Sequence, residues 1–223
     1  MLLIAAALLT ASIHSLGVVE APAVPASVVV ASAAVGTSGP RASDHVSRPA
    51  VEALAVASGQ RWLDALETAA PLTLQAADDD SRVTATAMDD PPSTNLVANW
   101  WRGLSPASQT VLTDDAPVVI GNLDGVPYDV RDVANRASLA AGLADPGTST
   151  SLASMLGQVR QSLEQTPDDP RKYLVTLDTR GSGRCAISVG DLDTAGDVSV
   201  VVPGIFFSVN GQMVDFTATA GDV

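Results

Sequence analysis

Few residues in this chain have the types and spacing for chemistry. Cys185 is the single cysteine, and His14 and His45 are the two histidines. A thiol acts as a nucleophile when a neighbouring base takes its proton, but no histidine follows Cys185 in the chain. The commoner use of such a cysteine is as a small buried hydrophobe in a strand. One cysteine also excludes an internal disulfide and a Cys-only metal site. The segment from Asp191 to Asp197 begins like a calcium loop, with acids at its first and third positions and glycine at its sixth. Ala195 stands at the fifth position and Val202 where the closing Glu belongs, so it reads as a strand connection with acids capping the turn. Asp78-Asp79-Asp80 and Asp89-Asp90 lack alternating ligand spacing and read as solvated loops. No metal or cofactor site is expected.

The elements that position these residues follow from pattern. The 223 residues carry a net charge of −13. That charge argues against a nucleic-acid backbone or an anionic membrane surface as partner, since both need clustered Lys and Arg. Aromatic residues make up only 4%, so a core must come from small aliphatics. Residues 2–19 contain no Asp, Glu, Lys or Arg, which resembles a signal peptide's apolar region or a short membrane span. No basic residue precedes that run, and a cytoplasmic location is the alternative. Residues 1–35 are taken as this leader, and 36–50 as a Pro-, Ser- and Gly-bearing linker. Val28 to Val30 could pair as a short strand.

Residues 51–170 read as helical. Glu52 to Ala70 is helix-like, with Leu54, Trp62, Leu63 and Leu66 as buried positions; Gly59 weakens it and Pro71 ends it. Ser105-Pro106 is a helix start, Ser as cap and Pro in the first turn. Trp100 and Trp101 read as packing anchors. Val118 to Ile120 runs into a turn built on Gly121, Asn122, Asp124 and Gly125, and Pro127 opens a helix. On that helix Val126, Val130, Val133 and Ala137 make one apolar face. Asp129, Arg131, Asp132 and Arg136 lie off it, Asp132 and Arg136 at the spacing of a surface ion pair. Leu152, Met155, Leu156, Val159 and Leu163 form the stripe of another helix. From Arg171 the period changes. Tyr173 to Leu177 and Cys185 to Val189 read as a hairpin across Arg180-Gly181-Ser182-Gly183. Val198 to Val202 reads as a third strand, buried on both faces.

The blocks Trp100-Trp101 with Leu104-Ser105-Pro106, Ile120 to Pro127 with Val130-Arg131-Asp132 and Ala134-Asn135-Arg136, Gly190 to Ala195, and Val202-Pro203-Gly204 carry a resemblance. In this order, over residues 97–207, the chain resembles an α/β-hydrolase family of unknown function found mainly in high-GC Gram-positive bacteria. The resemblance implies an α/β fold (α+β in this fragment): an N-terminal helical region, then the first strands of an α/β-hydrolase sheet over residues 171–223. It also implies hydrolysis of an ester, amide or related acyl bond of a small molecule. In that fold the loop after the third strand supplies an oxyanion-hole N–H, here Ile205 or Phe206. No Gly-x-Ser-x-Gly elbow occurs, and both histidines precede the sheet, so a triad in the family's order cannot be assembled. The expectation is the front part of a hydrolase without triad catalysis of its own. The alternative is a non-catalytic exported or surface interaction protein, with possible membrane association through the N-terminus.

Overall fold

A computed structural model describes the backbone of residues 3–5 and the residues 46–165, 167, 169–203 and 208–221. They belong to one compact unit comprising Met1–Leu8 and His45–Val223; the second unit, Leu9–Asp44, lies outside the described residues. Among the described residues the architecture is helix-rich α+β with a small, mainly antiparallel sheet.

The helical part runs α1 (Arg48–Val56), α2 (Gly59–Thr68), α3 (Pro71–Asp78), α4 (Ser81–Asp89), α5 (Thr94–Gly103), α6 (Pro106–Asp115), α7 (Pro117–Asn122), α8 (Tyr128–Ala144) and α9 (Thr150–Ser162). Prolines stand in the first turns of α1, α3, α6 and α7, where a missing N–H leaves no donor unpaired. The expected helix over Glu52 to Ala70 is broken: Ala57 and Ser58 are extended, and Gly59 opens α2 at φ +58°. Ser105 caps α6 as expected, its Oγ accepting from the Ser108 N–H at 3.1 Å. The first core cluster gathers the predicted Leu54, Trp62, Leu63 and Leu66 with Val83, Val97 and both Trp100 and Trp101. The two tryptophans meet edge-on with centroids 5.9 Å apart, as packing anchors should.

The acid runs are not simply solvated loops. Asp78 ends α3, and its two carboxylate oxygens accept from the Val118 and Val119 N–H groups at 3.0 and 2.8 Å, capping the short α7. Asp80 caps α4 through the Arg82 N–H at 2.9 Å.

The sheet contains β1 (Leu3–Ala5), β2 (Lys172–Asp178), β3 (Arg184–Val189) and β4 (Val198–Val200), in the order β2-β3-β1-β4. β2 and β3 form the predicted antiparallel hairpin; β1 pairs antiparallel with β3 and parallel with β4. Three leader residues thus adopt extended backbone. No helix among the described residues is long and apolar enough to cross a membrane. The rest of the leader, and the suggested strand at Val28 to Val30, lie outside the described residues. A second core cluster joins Met155, Leu156, Val159 and Leu163 of the predicted stripe to Leu174, Leu177, Cys185 and Ile187. Val209 and Met213 of α10 (Val209–Gly221) complete it. Cys185 sits in this core with Sγ 3.6 Å from Met213 Sδ, and burial alone pushes its thiol up to about 12. A thiol so protonated is packing, not a nucleophile.

β4 departs from expectation. Val198 and Val200 are 50% and 55% exposed, and Val202 beyond the strand's end is 55% exposed, where a strand buried on both faces was predicted. Among the described residues these side chains stay about half uncovered.

Candidate functional site

The stretch from Gly121 to Arg136 brings its polar residues inward, against β2. α8 packs on β2 and on α7, and the valine face that spacing suggests is covered only at its start, where Val126 is buried and Val130 packs against the first core cluster. Val133 is 54% exposed and Ala137 is exposed, while Arg131, Asp132, Ala134, Asn135 and Leu139 are buried. The reason is what lies opposite: the outer edge of β2, whose backbone groups need partners.

Three side chains supply them. Asp132 accepts from the Leu174 N–H at 2.7 Å, and Asn135 Nδ2 donates to the Leu174 carbonyl at 2.9 Å. Asn122 does both for Leu177: its Oδ1 accepts from the N–H and its Nδ2 donates to the carbonyl, each at 3.0 Å. An amide side chain thus imitates a neighbouring strand. Leu174 and Leu177 are three residues apart, not two, because the register shifts between Leu174 and Thr176, and the extra residue turns both to the same side. Asp132 also holds Arg136 at 2.7 Å. This is the predicted ion pair, but its carboxylate is buried, not on the surface.

Gly121 serves close approach. A Cβ there would lie 2.2 Å from Asn135 Oδ1, and the Gly121 carbonyl accepts from Asn135 Nδ2 at 2.7 Å. Gly125 is needed on two counts: its φ is +105°, and a Cβ would meet the Thr94 carbonyl at 2.4 Å. Asp193, from the calcium-like segment, accepts from the Tyr128 and Asp129 N–H groups at 2.9 and 3.3 Å and so caps α8. Asp191 caps its own turn through the Asp193 N–H at 2.9 Å.

Arg131 reaches from this helix across the turn. Its Nη1 donates to Asp124 at 2.5 Å, its Nε to the Gly121 carbonyl at 3.2 Å and its Nη2 to Thr176 Oγ1 at 3.2 Å. Two cavities open on either side of it, about 320 and 400 Å³, sharing Asp124, Arg131, Thr176 and Ala186 in their walls. The first runs towards Met88 and Pro91 and towards an ion cluster at the hairpin end. There Asp178, buried, holds Arg180 and Arg184, and Asp89 accepts from Arg180 at 2.6 Å. Burial raises the Asp178 carboxyl, but hydrogen bonds from Arg180 and Arg184 outweigh it and bring it down to about 2. The second cavity runs towards Ile187, Leu192, Val198 and Val200.

The oxyanion candidates Ile205 and Phe206 lie outside the described residues, as do His14 and His45. Of that loop Pro203 alone is described, and no group of His, Cys, Asp and Glu suited to a metal occurs among the described residues. The buried Asn122, Arg131, Asp132 and Asn135 were not foreseen as site residues. The signal available was an Asn or charged residue at each of 131, 132, 135 and 136, a polar helix face as continuous as the apolar one.

Residues 178–223 match the model of an alpha/beta hydrolase family. The match begins at the end of β2 and takes in β3, β4 and the Pro203 loop. Two uncharacterized proteins of Mycobacterium tuberculosis, one from each of two strains, are each 32% identical to the chain over 155 residues. The alignment covers 54% of this chain and 24% of each relative, so the chain spans about a quarter of the length of the curated relatives it matches. No solved structure matches.

Proposed function

We propose that the chain is the front section of an α/β-hydrolase whose whole-protein activity is hydrolysis of an ester, amide or related acyl bond in a small molecule. The observation that carries this reading is the family match over residues 178–223. It starts at the end of β2 and covers the second hairpin strand, then β4, then Pro203-Gly204, an order that suits the opening of such a sheet. In this reading the backbone N–H of Ile205 or Phe206 stabilises the oxygen that becomes negative when a nucleophile attacks the acyl carbon. The nucleophile, acid and histidine come from sequence after Val223. The residues of α7 and α8 take no part in bond breaking; they hold β2, and through the hairpin the strands leading to the loop.

The test is to read the coding DNA past codon 223, weigh the native protein by intact mass, and assay the natural product on p-nitrophenyl acyl esters. A continued frame with a Ser elbow and a later histidine, a matching mass and esterase turnover support the proposal. Ile205→Pro or Phe206→Pro, whichever removes the donating N–H, should then lower kcat by about a hundredfold to a thousandfold with KM little changed. A native mass ending at Val223 overturns it.

A further inference from the structure

We propose that the paired cavities around Arg131 form a binding site for a small aliphatic monocarboxylate, whose carboxylate takes the place of Asp124 on the Arg131 guanidinium. That ion pair is asymmetric. The Arg131 side chain is 4% exposed, whereas the Asp124 side chain is 62% exposed. A buried guanidinium needs a counter-charge, because leaving it unpaired in a low-dielectric setting is costly. A mostly solvated carboxylate on a turn is a weak, replaceable partner. Arg131 lines both cavities, and with Nε and Nη2 given to the Gly121 carbonyl and Thr176 Oγ1, its Nη1 is the donor that a ligand carboxylate would take over from Asp124.

The charges around it select the ligand. Arg184, the other cation in the walls, is already held by Asp178, as is Arg180. Arg131 therefore has one counter-charge to exchange, and a monoanion replaces Asp124 charge for charge. A dianionic phosphate would add negative charge beside Asp178 in a chain of net charge −13. A carboxylate oxygen also suits the charged Nη1 donor that Asp124 now occupies. The apolar body goes towards β4. There the second cavity is walled by Val175, Ile187, Leu192, Val198 and Val200, two of them the half-exposed valines of that strand. Covering their apolar surface favours an alkyl chain at about 25 cal/mol per Å². At about 400 Å³, that cavity has room for a chain of medium length. The site uses residues between 124 and 200 and does not depend on the hydrolase reading.

Isothermal titration of the full chain with octanoate, and with 1-octanol as the uncharged control, tests this. Saturable octanoate binding, at least tenfold tighter than octanol, is expected. Asp124→Asn keeps an acceptor for Arg131 but removes its counter-charge, so it should lower the urea midpoint while tightening octanoate about twofold to fivefold, the ligand now supplying the charge. Ala186→Phe should fill the shared wall and abolish binding, with the circular dichroism spectrum unchanged. Absence of saturable octanoate binding overturns the proposal. So does octanol binding as tightly as octanoate, or Asp124→Asn leaving the octanoate affinity unchanged or weaker.

Discussion

The two sides of the small sheet are finished in opposite ways. At β2 the outward backbone groups of Leu174 and Leu177 are all taken by Asp132, Asn135 and Asn122, and the strand's apolar side chains are buried. At β4 the strand is three residues long, and Val198 and Val200 are half exposed. One edge is closed by side chains that imitate a strand; the other presents apolar surface. The difference teaches where this chain commits polar residues. It buries amides and a carboxylate where helices must abut a strand edge, because there no water can satisfy the backbone.

Removing the closing groups should therefore cost more than removing core methyls of similar size. Asp132→Ala strands the Leu174 N–H and deprives Arg136 and Arg171 of their carboxylate. A loss of about 3 kcal/mol in urea unfolding is expected. Asp132→Asn, which keeps an acceptor, should lose less. A cost below about 0.5 kcal/mol for the alanine variant would sink the closed-edge account. Asn122→Ala and Asn135→Ala should each cost about 2 kcal/mol, since each leaves buried carbonyls unpaired. Asn122→Asp should be no better than alanine: its carboxylate would face the Val118 and Leu177 carbonyls that now accept hydrogen bonds.

This contrast also explains what could be read in advance. The stripe of α9, the hairpin, the Ser105-Pro106 start and the tryptophan anchors were legible because apolar burial leaves a period or a cap signature. The buried face of α8 was not. Val126, Val130, Val133 and Ala137 fall at helical spacing, and Asp132 and Arg136 look like a solvent pair. Only the presence of the β2 edge turns Asp132 and Asn135 inward. Hydrophobic periodicity reports burial against apolar surface and is blind to burial against backbone. Asp78 and Asp193 were hidden for the same reason, since each caps a helix far from it in sequence. The oxyanion candidates came from resemblance alone, and Ile205 and Phe206 lie outside the described residues.

Two acids that hold structure with opposite charge balance should give the fold opposite pH limbs. Burial raises Asp78 from 3.8 to about 6, against the lowering pull of the Val118 and Val119 N–H groups. Its folded value lies above the unfolded one, so its stabilising contribution is full below about 4 and is lost as pH rises through about 6. Asp178 is the reverse. Lowered to about 2, its contribution is present above 3.8 and lost as pH falls towards 2. Stability measured by urea midpoint should peak between the two windows. Asp78→Asn should flatten the limb between about pH 4 and pH 7, worth on the order of 3 kcal/mol, and leave the acid limb in place. An unchanged neutral limb in that variant would show that Asp78 is not the group responsible.

At the open edge the expected effect on folding is smallest and the effect on association larger. Val200→Lys and Val202→Lys replace half-exposed side chains that belong to neither core cluster among the described residues, so each should shift stability by no more than about 0.5 kcal/mol. Their apolar surface beside a strand edge is, however, the kind that promotes pairing between copies, and a lysine there opposes it by charge and hydration. Sedimentation velocity should show concentration-dependent association of the parent chain that the double variant suppresses. If the parent is monomeric at high concentration with a sharp cooperative transition, the β4 edge is not a liability. Side-chain closure at β2 would then be a demand of the α8 contact, not a remedy that an uncovered strand edge requires.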